Sequence, residues 1–293
     1  MTVEIPGTRP AGGFFNPVDL TQPYAIRLRR LVEDGREIFA LEQPIGYWDD
    51  KVGWIVVPSD VEAFRTDLAS VPRVFTWLVP PTGIHLPAAL IHDGLIDEPG
   101  EPQSYIAQNG PIDRPTADDV FRRAMRDLGT SRLRSWLVWS AVTIGTMVGP
   151  GAKGRAGQIA VLVATFGTIL VLGALATIDL LDWRAPLFWM GDRPFLLELA
   201  YGVLAAVIIS GLLSALWGRR WRAGWIAGVA LALLVHVTVA VAVVTAVFNS
   251  LDRFFEGQLL KAVAWAFAAG GAVVGLLLIV WWAARPDFLT PLW

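Results

Sequence analysis

The chain predicts an α+β fold, with a small antiparallel β meander plus helices in an N-terminal domain, followed by an all-α four-helix transmembrane bundle. Three observations lead there. Most charges, prolines and aspartates fall in the first half of the 293 residues, whereas Ala, Val, Leu, Ile, Gly and Trp dominate the second. Four apolar stretches lie between Ile159 and Trp282. Ahead of them, period-two alternation gives way to helical periodicity.

The first 23 residues read as an N-terminal arm. Met1–Gly13 has no basic run leading into an apolar core, so export of the first domain is not expected. Tyr24–Val32 alternates apolar and charged side chains, Asp34-Gly35 suits a hairpin turn, and Glu37–Glu42 and Gly53–Val57 continue as strands. Three helical segments follow. Ala69–Leu78 is short and contains Pro72, and Pro87–Ile96 is apolar with a proline suited to a first turn. Thr116 caps a longer helix with Val120, Phe121, Ala124, Met125 and Leu128 on one face. Ser131–Val148, flanked by Arg132 and Arg134, is a further helix of the same domain, which thus spans residues 24–148. Gly149–Gly157 is a Gly-rich tether, reaching about 15–18 Å.

The membrane region spans residues 158–285, with a tail at 286–293. Ile159–Ile178, Phe195–Trp217, Trp225–Phe248 and Ala262–Trp282 each supply the roughly 20 apolar residues that a spanning helix needs. Trp183, Trp189, Trp217, Trp221, Trp225, Trp281 and Trp282 stand at their ends, at headgroup level. Lys153, Arg155, Arg219, Arg220, Arg222 and Arg285 place the N-terminal domain, the loop after the second span and the C-terminus in the cytoplasm. Gly202, Ala206, Ser210 and Ser214 line one face of the second span, and Gly271 and Gly275 form a GxxxG in the fourth. Such faces suit a compact bundle or a homo-oligomer. His236 lies near the middle of the third span. It suits either a hydrogen bond to Ser210 or Thr238 or a place on an ion path. Arg122, Arg123, Arg126, Arg132 and Arg134 suit either anionic lipid headgroups or a solvated helix face.

The chain has no cysteine, which excludes disulfides, thiolate metal sites and cysteine nucleophiles. It has no GxSxG motif and no phosphate-cradling glycine loop, and no nucleic-acid partner is expected. The net charge of -2 averages over two unlike halves and points to no partner. Three polar groupings stand out: Thr66–Arg73, the His92-Asp93 pair, and Asp113-Arg114 with Asp118-Asp119. Each has a structural explanation. Asp67 suits a helix cap, Asp118 and Asp119 suit a first helical turn, and His92 suits a hydrogen-bonded core position. His92 and Asp93 also interrupt an otherwise apolar helix, so they need polar partners, and Asp67 with Asp118 or Asp119 are the candidates. A histidine among carboxylates fits an oxygen-rich site for calcium, magnesium or manganese. It equally fits a general base oriented by an aspartate beside a metal-holding carboxylate.

The run Val57-Pro58, Phe64–Arg73, Ala88–Asp93 and Ala117–Phe121 resembles domain-of-unknown-function family 1353, found in bacteria and tailed phages. Its pattern is a "VP.GF.TDLAS.PR" segment, an "HD..Y" helix and an "R..AD..F" helix, and the resemblance covers about Tyr24–Gly149. Ser59–Ala63 is longer than the family's glycine-containing link, and Ile96 stands in place of the tyrosine. The family implies no activity. The His92-Asp93 helix is also similar to that of phospholipase A2, although no glycine-rich calcium loop is present. That similarity implies His92 as base, Asp93 as metal ligand and Asp118 as the group orienting the histidine. The expected protein is therefore membrane-anchored, with a cytoplasmic site of His92, Asp118, Asp93 and Asp67. It would be a metal-assisted hydrolase acting near the bilayer, or a non-enzymatic phage- or prophage-type membrane protein, holin-like or mediating interactions, whose His and Asp residues brace the fold.

Overall fold

A computed structural model of the chain describes residues 3–33, 36–66, 68, 83–96, 103–149, 152, 154–180, 187–190 and 193–255, with residues 36, 235–243 and 253–255 described by backbone alone. The chain divides into two compact units, Met1–Arg155 and Ala156–Trp293. The first is α+β. Its strands are β1 (Phe14–Phe15), β2 (Leu28–Glu33), β3 (Arg36–Leu41), β4 (Ile45–Asp49), β5 (Gly53–Val57) and β6 (Ile106–Ala107). Its helices are α1 (Leu86–Leu95), α2 (Arg114–Asp127) and α3 (Arg132–Val148).

The strands do not form the single meander expected. β1, β4, β5 and β6 make one sheet in that order, and β2 and β3 pair separately as a ribbon. The ribbon follows the expected register, Glu33 opposite Arg36, with Asp34-Gly35 outside the described residues. It is joined to the segment after β5 by mutual backbone bonds between Phe39 and Thr66, at 2.8 and 2.9 Å. β4 has no alternation to announce it, because Ile45, Gly46, Tyr47 and Asp49 are all buried. Its turn into β5 is set by Asp49, whose Oδ1 accepts from the amides of Lys51 and Val52 at 2.8 and 3.1 Å. β1 and β6 are two residues each, too short to carry a period. Because Phe14 and Phe15 pair with Tyr47 and Gly46, part of the expected N-terminal arm belongs to the sheet.

α1 and α2 cover this sheet, and α3 packs on α2. α1 begins with Pro87 in its first turn and buries Ala88, Leu90, Ile91 and Leu95. It approaches β5 so closely that a Cβ on Gly94 would overlap the Val57 side chain. α2 starts earlier than the Thr116 cap suggested. Asp113 is its N-cap, accepting from the Thr116 amide at 3.0 Å. Asp118 therefore falls in the helix body rather than in the first turn, and dipole stabilisation does not account for it. Ala117, Val120, Phe121, Ala124 and Met125 form the expected apolar face. Ser131 caps α3. The expected helix at Ala69–Leu78 lies outside the described residues; Leu68, just before it, is a buried non-glycine residue with φ 72°.

Two polar links bind β4 to α2. Arg123 grips Asp49, Nε to Oδ2 at 2.5 Å and Nη2 to Oδ1 at 3.1 Å. Tyr47 donates to Asp127 Oδ2 at 2.8 Å, and Arg9 meets the same oxygen at 2.5 Å. Burial first, then the bond to Asp127, push the Tyr47 phenol above its ordinary value.

The second unit contains α4 (Arg155–Leu180), α5 (Phe195–Ser214), a 3-10 segment (Ala215–Arg220) and α6 (Trp221–Phe255). α4 begins inside the expected tether. Gly218, at φ 56° and ψ -122°, breaks the helical path so that α6 turns back along α5. The Trp217 indole donates to Thr165 Oγ1 of α4 at 3.1 Å. A Cβ on Gly228 of α6 would crowd Ser210 of α5 and Ile169 of α4, so three helices meet there. Ser210 and Ser214, read as a small-residue face, are buried within this unit. Among the described residues two helical stretches, rather than four, are long and apolar enough to cross a membrane. They are Arg155–Leu180, with mean hydropathy 2.5, and Phe195–Leu234, with 2.2. The second runs across the Gly218 break and takes in the expected second span and the start of the third. Ala262–Trp282, with Gly271 and Gly275, lies outside the described residues, as does the side chain of His236.

Two outcomes follow. Gly94→Ala is expected to lower stability by about 1–3 kcal/mol through overpacking, although Ala is the better helix former, as read by chemical unfolding in mild detergent. Tyr47 keeps its proton in the folded state above the unfolded value of about 10. Its contribution is therefore full below that pH and is lost as pH rises toward the folded value. Tyr47→Phe is expected to flatten the alkaline fall in stability measured from pH 8 upward, at a neutral-pH loss of about 1 kcal/mol.

Candidate functional site

His92 sits in the last turn of α1. α1 is pinned to β5 at Gly94, so the imidazole is directed by a rigid helix rather than by a loop. Its Nε2 lies 2.9 Å from Asp118 Oδ1 of α2, one of the candidate partners that the sequence left open. Its ring stacks on Phe121, one turn further along α2, with centroids 4.8 Å apart and planes inclined by 29°. Asp118 is nearly sealed, with 2% of its side chain exposed against 12% for His92. A carboxylate so placed needs donors on both oxygens. The second comes from Thr146 of α3, whose hydroxyl lies 3.1 Å from Oδ1 and 3.0 Å from Oδ2.

This constellation has a definite chemical sense. An ionised Asp118 accepts the Nε2 proton of His92, and that leaves Nδ1 as the basic nitrogen. The carboxylate orients the ring and would stabilise an imidazolium formed on it. Phe121, stacked on the ring face, fixes the ring plane.

The other expected members fare differently. Asp93 is half-buried beside His92 on α1. Asp67 lies outside the described residues. Among the described residues no group of three or more His, Asp or Glu side chains is arranged to hold a metal ion. Asp113 is a helix cap. Of the five arginines read as a cationic surface, Arg123 is taken by Asp49, Arg126 donates to the Thr130 carbonyl, and Arg122 lies over the Trp136 ring at 4.2 Å. Arg132 and Arg134 are exposed. Thr146 and Phe121 were not anticipated as site residues. Phe121 is legible as a neighbour of Asp118 one turn along a helix. Thr146 gives no local signal, because its role depends on how α3 crosses α2.

Residues 39–142 match the model of a family described as a protein of unknown function (DUF1353). The match is narrower than the resemblance read from the motifs. It runs from within β3 to within α3, takes in about a third of the chain, and includes His92, Asp93 and Asp118 but not Thr146. No curated protein and no solved structure matches the chain.

The shared carboxylate makes a clear expectation. Thr146→Val should lower stability by about 1–3 kcal/mol, since it strips a donor from a buried charge. Combined with His92→Asn, it should show a coupling of at least about 0.5 kcal/mol in a double-mutant cycle, because both side chains act on Asp118.

Proposed function

We propose that the chain is a membrane-anchored protein whose N-terminal unit carries a His92–Asp118 base for hydrolysis at or near the bilayer. The observation that carries this reading is the 2.9 Å contact between His92 Nε2 and a carboxylate that is itself almost wholly buried. Nδ1 of His92 takes a proton from a water as it attacks an ester carbonyl, and Asp118 stabilises the imidazolium until the proton passes to the leaving oxygen. Asp93 and Asp67 are the residues that would hold a divalent cation (calcium, magnesium or manganese), whose part would be to polarise the acyl oxygen.

Anchoring is supported by the two apolar helical stretches. Only 22% and 11% of their most apolar windows are buried, which is unlike the core helix of a soluble protein. In this reading the bundle has four spans, with Ala262–Trp282 as the last. The positive residues at span ends hold the N-terminal unit and the C-terminus in the cytoplasm of a cell bounded by this membrane.

A second reading has its own support. His92 is 12% exposed and Asp118 is satisfied by Thr146, as in a polar brace between helices. In that case the protein is non-enzymatic, a phage- or prophage-type membrane protein with a holin-like or interaction role.

The test is hydrolysis of short-chain and phospholipid esters by the full chain in mild detergent, with and without each cation, alongside thermal unfolding. His92→Asn is expected to lower kcat/KM by about 10²–10⁴-fold while the protein remains folded. Asp118→Asn should give a comparable loss. Wild-type protein that turns over no ester under any condition, with His92→Asn merely less stable, would leave the brace as the function of these residues.

A further inference from the structure

α3 distributes its polarity unusually. Its buried positions are Ser135, Ser140, Thr143 and Thr146, together with Val138 and Met147. Its outward stripe is apolar. Leu133 is 72% exposed, Ala141 is exposed, and Leu137, Ile144 and Val148 are half-buried. These five recur every three or four residues, so they line one side of the helix from end to end. A helix facing water on that side would carry charge there. An exposed apolar stripe over buried hydroxyls calls for an apolar neighbour.

The charges say which neighbour. Between Asp127 and Asp179 the chain has no acidic residue, and its only charges are Arg132, Arg134, Lys153 and Arg155. Arg132 and Arg134 are exposed on either side of Leu133. Trp136, one turn on, lies half-buried beneath Arg122, a ring suited to headgroup depth. The apolar helix α4 begins seven residues after α3 ends, at Arg155. α3 itself cannot be surrounded by lipid, because its inner side packs on α2 and holds Asp118 through Thr146. A helix apolar on one side, protein-bound on the other and cationic at its start is suited to lie in the plane of an anionic bilayer surface.

We propose that α3 is such an interfacial helix. Its stripe of Leu133, Leu137, Ala141, Ile144 and Val148 sinks into the bilayer surface, and Arg132 and Arg134 meet the phosphates of anionic headgroups. The inner face of the same helix holds Asp118, so the site is built on the element that touches lipid. This rests on the membrane anchoring proposed above.

The absence of cysteine allows single-site labelling of the full chain. Leu133→Cys, Ala141→Cys and, as an exposed control, Glu62→Cys are each labelled with an environment-sensitive fluorophore and reconstituted into nanodiscs. Discs contain phosphatidylcholine with or without phosphatidylglycerol, and a shallow nitroxide-lipid quencher is added in a parallel set. Labels at Leu133 and Ala141 are expected to shift to the blue and to be quenched several-fold more than the label at Glu62. Arg132→Gln with Arg134→Gln should reduce that quenching in phosphatidylglycerol discs while disc incorporation stays unchanged. Quenching equal to the Glu62 control would overturn the proposal. So would a blue shift without lipid quenching that grows with protein concentration, which would mean that a second copy covers the stripe. Protein that does not enter discs at all would overturn the anchoring reading and this proposal with it.

Discussion

Asp118 stands on the inward side of α2 among apolar residues, with almost none of its surface in water. An ion in such a place loses several kcal/mol of hydration. That loss is offset only if donors reach it from neighbouring elements. His92 reaches it from α1 and Thr146 from α3. Three helices are therefore tied to one another through a single carboxylate, and their rotation about their own axes is fixed by where His92, Asp118 and Thr146 must point. An apolar core alone tolerates some repacking, whereas a shared buried carboxylate tolerates little. Whatever the site does, the arrangement of α1, α2 and α3 is organised around it.

The sheet is tied to the same helix by a second set of polar links. Asp49 and Arg123 join the end of β4 to the outer part of α2, and Tyr47, Arg9 and Asp127 join the strand and the N-terminal segment to its last turn. α2 is thus the element through which sheet, α1 and α3 communicate. Its apolar residues, Ala117, Val120, Phe121, Ala124 and Met125, supply most of the contact, while its three acid–base links set direction. Gly94 contributes by absence, since only a residue without a side chain lets α1 lie this close to β5. That closeness carries His92 to its place beside Asp118.

The second unit follows different rules. Leu196, Leu212, Val163 and Phe248 are each well exposed, and the buried positions include Ser210, Ser214 and Thr165. Hydroxyls share the spaces between helices with large apolar side chains such as Ile169, Ile178 and Trp217, and many further large apolar side chains face outward, as where the surroundings are as apolar as the protein. α3 in the first unit likewise buries hydroxyls and turns apolar side chains outward, on one side only.

By itself, the sequence determined the division into an α+β part and an apolar helical part, the ribbon of β2 and β3, the apolar face of α2, and the need of His92 for a polar partner among a few aspartates. These are legible because alternation, helical spacing and a polar interruption in an apolar run are local signals, read over a few residues. The tertiary structure decided what depends on crossing geometry. It separated β4 and its sheet from the ribbon, because a strand buried on both faces has no alternation to show. It moved the start of α2 to Asp113, which removed Asp118 from the helix dipole and made it depend on partners. It also brought Thr146, 28 residues further on, to the same carboxylate. No spacing rule within one helix predicts which threonine of a second helix will face a carboxylate of the first, since that is set by how the two helices cross.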